Sequence, residues 1–87
     1  MKVFSHIKPR VKILSKPGCH LCEDAITAVS EVCAELNESY EVEEIQDNPE
    51  LLRQYGEEIP VIFVDGKQHD YWRVDPVRLK KALSIKP

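Results

Sequence analysis

Apolar residues along this chain recur at two spacings, and the switches between them mark its elements. Val11 to Ser15 (Val-Lys-Ile-Leu-Ser) is a short β-prone run, expected as a first strand. Lys16-Pro17-Gly18 breaks it. From Cys19 to Leu36 the apolar positions Cys22, Ala25, Ile26, Val29, Val32, Cys33 and Leu36 fall at helical spacing, so a long amphipathic helix is expected, ended by Asn37 and Ser39. Tyr40 to Ile45 alternates in part, with Tyr40, Val42 and Ile45 among glutamates, and reads as an outer strand. Asn48-Pro49 is a cap followed by a helix-opening proline. A short helix through Leu51, Leu52 and Tyr55 should follow, closed by Gly56 as a C-terminal glycine. Pro60 to Val64 is a nearly unbroken apolar run, which suits a central strand buried on both faces. Asp65-Gly66 is a two-residue hairpin turn, after which Lys67 to Trp72 returns antiparallel. Asp75-Pro76 repeats the cap-plus-proline signature and opens a last amphipathic helix through Val77, Leu79, Ala82, Leu83 and Ile85.

The order is βαβ followed by αββα. The first unit requires a parallel, right-handed crossover, and the hairpin an antiparallel pair. The expected fold is therefore α/β, with a mixed four-stranded sheet flanked by helices. The 87 residues suit one domain, with residues 1–10 as a short basic lead-in. Hydrophobic content of 43% against 31% charged excludes a disordered chain. No apolar run approaches the roughly 18–20 residues of a membrane span, and the N-terminus lacks the apolar stretch of a secretory signal. No membrane association is expected. Net charge is −3, unevenly spread: between Pro17 and Leu52 there is no Lys or Arg, while ten acids run from Glu23 to Glu50. The middle of the chain should present an acidic face. No dense basic patch with interleaved aromatics exists, so nucleic acid is not an expected partner.

Three cysteines are too few and too odd in number for a disulfide scaffold. They suit a reducing compartment, with the cytoplasm as the default. Cys19 and Cys22 form a Cys-x-x-Cys pair that directly follows a strand and opens a helix within a βαβ pattern, the setting of a thioredoxin-like redox motif. At a helix start, unsatisfied N–H groups and the positive end of the dipole face the first sulfur and favour its thiolate. Lys16 adds a cation nearby, and protonated His20 could add another. Cys22 lies one turn on, placed to attack a mixed disulfide formed at Cys19. A structural zinc would need four protein ligands, and Cys33 lies about 16 Å further along the helix at ~1.5 Å per residue. Cys33 reads instead as a small core residue. His6 and His69 show no partner pattern and read as surface residues. Pro60 suits a strand's first position; an ordinary trans strand-starter is the plain reading, and the dithiol context favours a cis Ile59-Pro60 step beside Cys19, with its backbone free to pair with an extended substrate.

These stretches resemble the glutaredoxin-like branch of the thioredoxin superfamily, from Val11 to about Ile85. The carriers are Lys16-Pro17-Gly18-Cys19-His20-Leu21-Cys22, Glu58-Ile59-Pro60-Val61-Ile62-Phe63-Val64-Asp65-Gly66 and the Asp75-Pro76 helix. The resemblance implies a thioredoxin-like βαβαββα fold, Cys19 as nucleophile, Cys22 as resolving thiol, Lys16 as a glutathione contact and Ile59-Pro60 as the family's Val–cis-Pro step. Two stretches depart from the usual glutaredoxin pattern. Glu58 takes the place of a threonine, and Asp70-Tyr71-Trp72-Arg73-Val74 stands where glutaredoxins carry a Gly-Gly pair. Arg73 could hold a carboxylate, with a solvated surface charge as the plainer reading.

The expected activity is thiol–disulfide exchange. Catalysis is assigned to Cys19 and Cys22, and substrate contact to Lys16, His20, Ile59, Pro60 and Arg73. Expected partners are a disulfide-containing protein or a glutathione mixed disulfide, and a thiol reductant. Glutathione is the candidate reductant, no cofactor is held tightly, and the chain is a monomer. Two other classes remain open: an iron–sulfur cluster shared between two chains through Cys19 and glutathione, and a non-enzymatic interaction module using Tyr71 and Trp72.

Overall fold

The computed structural model describes residues 9–85, so most of the basic lead-in, His6 included, lies outside the described residues. Its elements are β1 (Val11–Ser15), α1 (His20–Leu36), β2 (Tyr40–Glu44), α2 (Pro49–Tyr55), β3 (Val61–Val64), β4 (Lys67–Tyr71) and α3 (Pro76–Ser84). The sheet is mixed, in the order β2-β1-β3-β4. β1 pairs parallel with β2 and antiparallel with β3, and β4 returns antiparallel on β3.

The unbroken apolar run of β3 has the predicted cause. Ile62 and Val64 join Val11 and Ile13 of β1 in a core with α1 and α3, to which Ala25, Val29, Cys33, Leu79 and Leu83 contribute. Val61 and Phe63 turn to the other face, where Leu14, Ile45 and Ile59 meet Leu51 and Tyr55 of α2. A strand sandwiched this way has no polar side to spare. Asn48 and Asp75 cap α2 and α3 by accepting from the Leu51 and from the Val77 and Arg78 amides, each ahead of a proline. At the end of β1 remote from the dithiol, Arg10 ties the fold together. It donates to Asp65, to Glu38 and to the Leu83 and Ile85 carbonyls.

Several sequence expectations need correction. Ile45, Pro60 and Trp72 fall just outside β2, β3 and β4. Gly56 ends α2 in the right-handed region (φ −55, ψ −30), not the left-handed one of a glycine C-cap. Its lack of a side chain serves a close approach, because a Cβ there would sit 2.5 Å from the Leu52 carbonyl oxygen. Val77 and Ile85 keep the helical spacing of α3 yet are 62% and 69% exposed, since they lie at the two ends of a helix whose buried stripe is only Leu79 and Leu83. α2 contributes no fully buried residue at all.

His69 is not a plain surface residue. The β3–β4 register slips by one between Ile62 and Phe63, leaving His69 as the extra residue of a bulge. Its Nε2 is buried without a partner among the described residues. Burial, and then the Arg78 charge, hold its pKa below the usual value, while Asp70 and Asp75 pull the other way. The unfolded imidazole therefore takes up a proton first as pH falls through about 6.5. The stability contributed by neutral His69 is complete above that pH and declines below it. Urea unfolding at pH 7.5 and at pH 5.5 should show a loss at the lower pH that shrinks in His69→Gln.

Candidate active site

The site forms where β1 ends. Lys16, Pro17 and Gly18 turn the chain, with Gly18 at φ +72, a conformation that glycine adopts without a steric penalty. Cys19 follows as the N-cap of α1, not as its first helical residue, with extended backbone angles (φ −103, ψ 111). Its sulfur stands where a serine or aspartate oxygen caps other helices. The Cys22 backbone N–H donates to the Cys19 Sγ at 3.1 Å, and the Glu23 N–H donates to the Cys19 carbonyl at 3.1 Å. An amide at the positively polarised helix end thus points directly at the first sulfur.

The two sulfurs are held unequally. Cys19 is half-buried, whereas Cys22 is only 2% exposed and packs with Leu14, Ile45, Ile59 and Val61. Burial first, then a hydrogen bond from its thiol to Cys19, push the Cys22 pKa up to about 11, and the Lys16 backbone amide and charge oppose this. Cys22 is therefore a thiol at neutral pH, one turn on from a Cys19 sulfur that accepts from the Cys22 backbone N–H. That arrangement can support an anion on Cys19 and close an intramolecular disulfide. Cys33 lies in the core between the sheet and its helices, and burial raises its pKa too, followed by the Glu38 charge.

The other nominated residues divide. Ile59 shares a packed cluster with Cys22, and the Ile59–Pro60 peptide bond is cis. Lys16 is exposed but close enough to act on Cys22, and His20 is exposed on the first turn of α1. Arg73 follows the edge strand β4 and is not brought to either cysteine. It lines a cleft with Leu21, Asp24 and Ala25 of α1. Sequence reasoning set Trp72 in the stretch that replaces the Gly-Gly pair and in an apolar patch, but missed its fastening near the dithiol. Its backbone N–H donates to the Pro60 carbonyl at 2.8 Å, which fastens the end of β4 to the loop beside Cys22. The available signal was a single tryptophan immediately after the hairpin strand. Among the described residues no cluster of three or more His, Cys, Asp or Glu could hold a metal, and no helix is long and apolar enough to cross a membrane.

The sequence profile of the Glutaredoxin-like domain (DUF836) matches residues 10–84, nearly the whole described chain. The chain belongs to this glutaredoxin-like family. Over 82 residues the glutaredoxin-like chain is 32% identical to the uncharacterized proteins Rv0508 of Mycobacterium tuberculosis and Mb0520 of Mycobacterium bovis, covering 88% of itself and 84% of each relative. Among solved structures it resembles XcR50 from X. campestris, with 27% identity and a TM-score of 0.73 over 88% of this chain and 99% of that one. Glutaredoxin C1 from populus tremula x tremuloides, in its holo form, matches at 25% identity and a TM-score of 0.50, over 84% of this chain and 74% of that one. A glutaredoxin-like fold with adjacent Cys19 and Cys22 sulfurs is compatible with redox chemistry.

Proposed function

We propose that this glutaredoxin-like chain is a thiol–disulfide oxidoreductase. The Cys19 thiolate attacks one sulfur of a substrate disulfide, forming a mixed disulfide and expelling the other sulfur as a thiolate. Cys22 gives up its proton and attacks the Cys19 sulfur, which releases the second substrate thiol and leaves a Cys19–Cys22 disulfide. The substrate gains two electrons, and two molecules of a thiol reductant, glutathione in this reading, restore the dithiol. A reducing compartment such as the cytoplasm suits that cycle.

The observation carrying this reading is the 3.1 Å hydrogen bond from the Cys22 amide to the Cys19 sulfur at the head of α1. It stabilises negative charge where the attacking atom and the leaving group both need it. Mild oxidation provides the test. The intact mass should fall by two hydrogens, a peptide map should join Cys19 to Cys22, and Cys33 should stay free. Retention of all three thiols, or a bond that includes Cys33, would contradict the reading.

A further inference from the structure

We propose that Trp72 sorts the substrates of this site, favouring protein segments with an aliphatic residue next to the disulfide. The inference rests on the oxidoreductase reading and names the substrate class for it. Trp72 is 52% exposed, yet its ring is not free to swing. The indole Nε1–H donates to the Glu57 carbonyl at 3.0 Å, and the backbone N–H donates to the Pro60 carbonyl at 2.8 Å. The Tyr71 ring meets it edge-on at 5.0 Å. These contacts hold a non-glycine residue at φ +66, a conformation few side chains adopt unaided.

The polar edge of the indole is thus already satisfied within the chain, and what it offers outward is its apolar face. A rigid aromatic surface loses little freedom when a partner covers it. That surface lies near the dithiol: the Trp72 backbone is fastened to Pro60, whose neighbour Ile59 packs with Cys22. Trp72 lines a cleft with Leu21, the residue just before Cys22, and with Ala25 on the next turn of α1. Asp24 and Arg73 line the same cleft with opposite charges, so it carries little net charge to select an ionic ligand. In this proposal a disulfide attacked by Cys19 lays a neighbouring residue along this wall. An aliphatic neighbour covers the indole face and the leucine, whereas a small polar neighbour leaves both wet.

The test uses Cys22→Ser, which stops the cycle at the mixed disulfide, and the symmetrical disulfides of the peptides Gly-Leu-Cys-Leu-Gly and Gly-Ser-Cys-Ser-Gly. Cys19 bonds to one peptide sulfur and the other peptide leaves as its thiolate. Trp72 is the chain's one tryptophan, so its emission reports on the cleft directly. The leucine adduct should shift that emission to the blue, and the serine adduct should not. The leucine disulfide should also react about tenfold faster, an advantage lost in Trp72→Ala and kept in Trp72→Phe. Unshifted emission in the leucine adduct, with equal rates for both peptides, would overturn the inference. Failure of both peptides to form an adduct would overturn the oxidoreductase reading instead. The emission arm requires no change at Trp72, so it stands whether or not Trp72→Ala folds.

Discussion

Cys19→Ser should abolish disulfide reduction, with turnover falling on the order of 10³-fold or more, because removing a nucleophile removes the reaction rather than weakening one contact. The outcome at Cys22 should differ in kind. Cys22→Ser keeps the attacking sulfur and its capping amide, since the hydrogen bond at 3.1 Å comes from the backbone of residue 22 and not from its side chain. Attack then proceeds and resolution fails, so the mixed disulfide accumulates. Quenching the reaction in acid and weighing the intact protein reads both results at once. Unmodified Cys19→Ser, trapped Cys22→Ser and active wild type are expected. Full activity in Cys19→Ser would remove the catalytic assignment.

Ile62→Ala carries the largest expected loss of stability. Ile62 is fully buried in β3, between β1 and β4, where the sheet meets α1 and α3. Removing its outer atoms leaves a cavity that strands paired on both sides cannot close, at a cost of about 3–4 kcal/mol. A chain of this length has roughly 4–13 kcal/mol in total, so the variant should be markedly easier to unfold. Val77→Ala is the matched contrast. Helical periodicity nominates both Val77 and Leu79, but the exposed Val77 should change stability by less than about 0.5 kcal/mol. Urea unfolding of the two variants separates burial from periodicity.

The contrast shows what the sequence made legible. Element order, the pairing senses and the central strand follow from patterns that local chemistry enforces: a proline after a capping residue, a two-residue Asp-Gly turn, an apolar run too continuous for a one-sided strand. The dithiol was legible for the same reason, because a break of Pro-Gly before Cys19 dictates where the helix begins. Features set by non-local geometry were not. The bulge at His69 depends on the register between β3 and β4, which composition does not encode. The fastening of Trp72 to the Glu57 and Pro60 carbonyls joins residues 12 to 15 positions apart, and its acceptors are backbone carbonyls that every residue carries. Gly56 reads as a left-handed cap in sequence, yet it answers to the nearness of one carbonyl oxygen.

Site-resolved alkylation tests the arrangement of the two sulfurs most directly. Reduced protein is exposed to limiting iodoacetamide between pH 6 and pH 8, and each cysteine is quantified by mass spectrometry. With Cys22 sealed at 2% exposure and its pKa pushed up to about 11, Cys19 should carry almost all of the label throughout that range. Equal or faster labelling of Cys22 would contradict the assignment of attacking and resolving sulfurs.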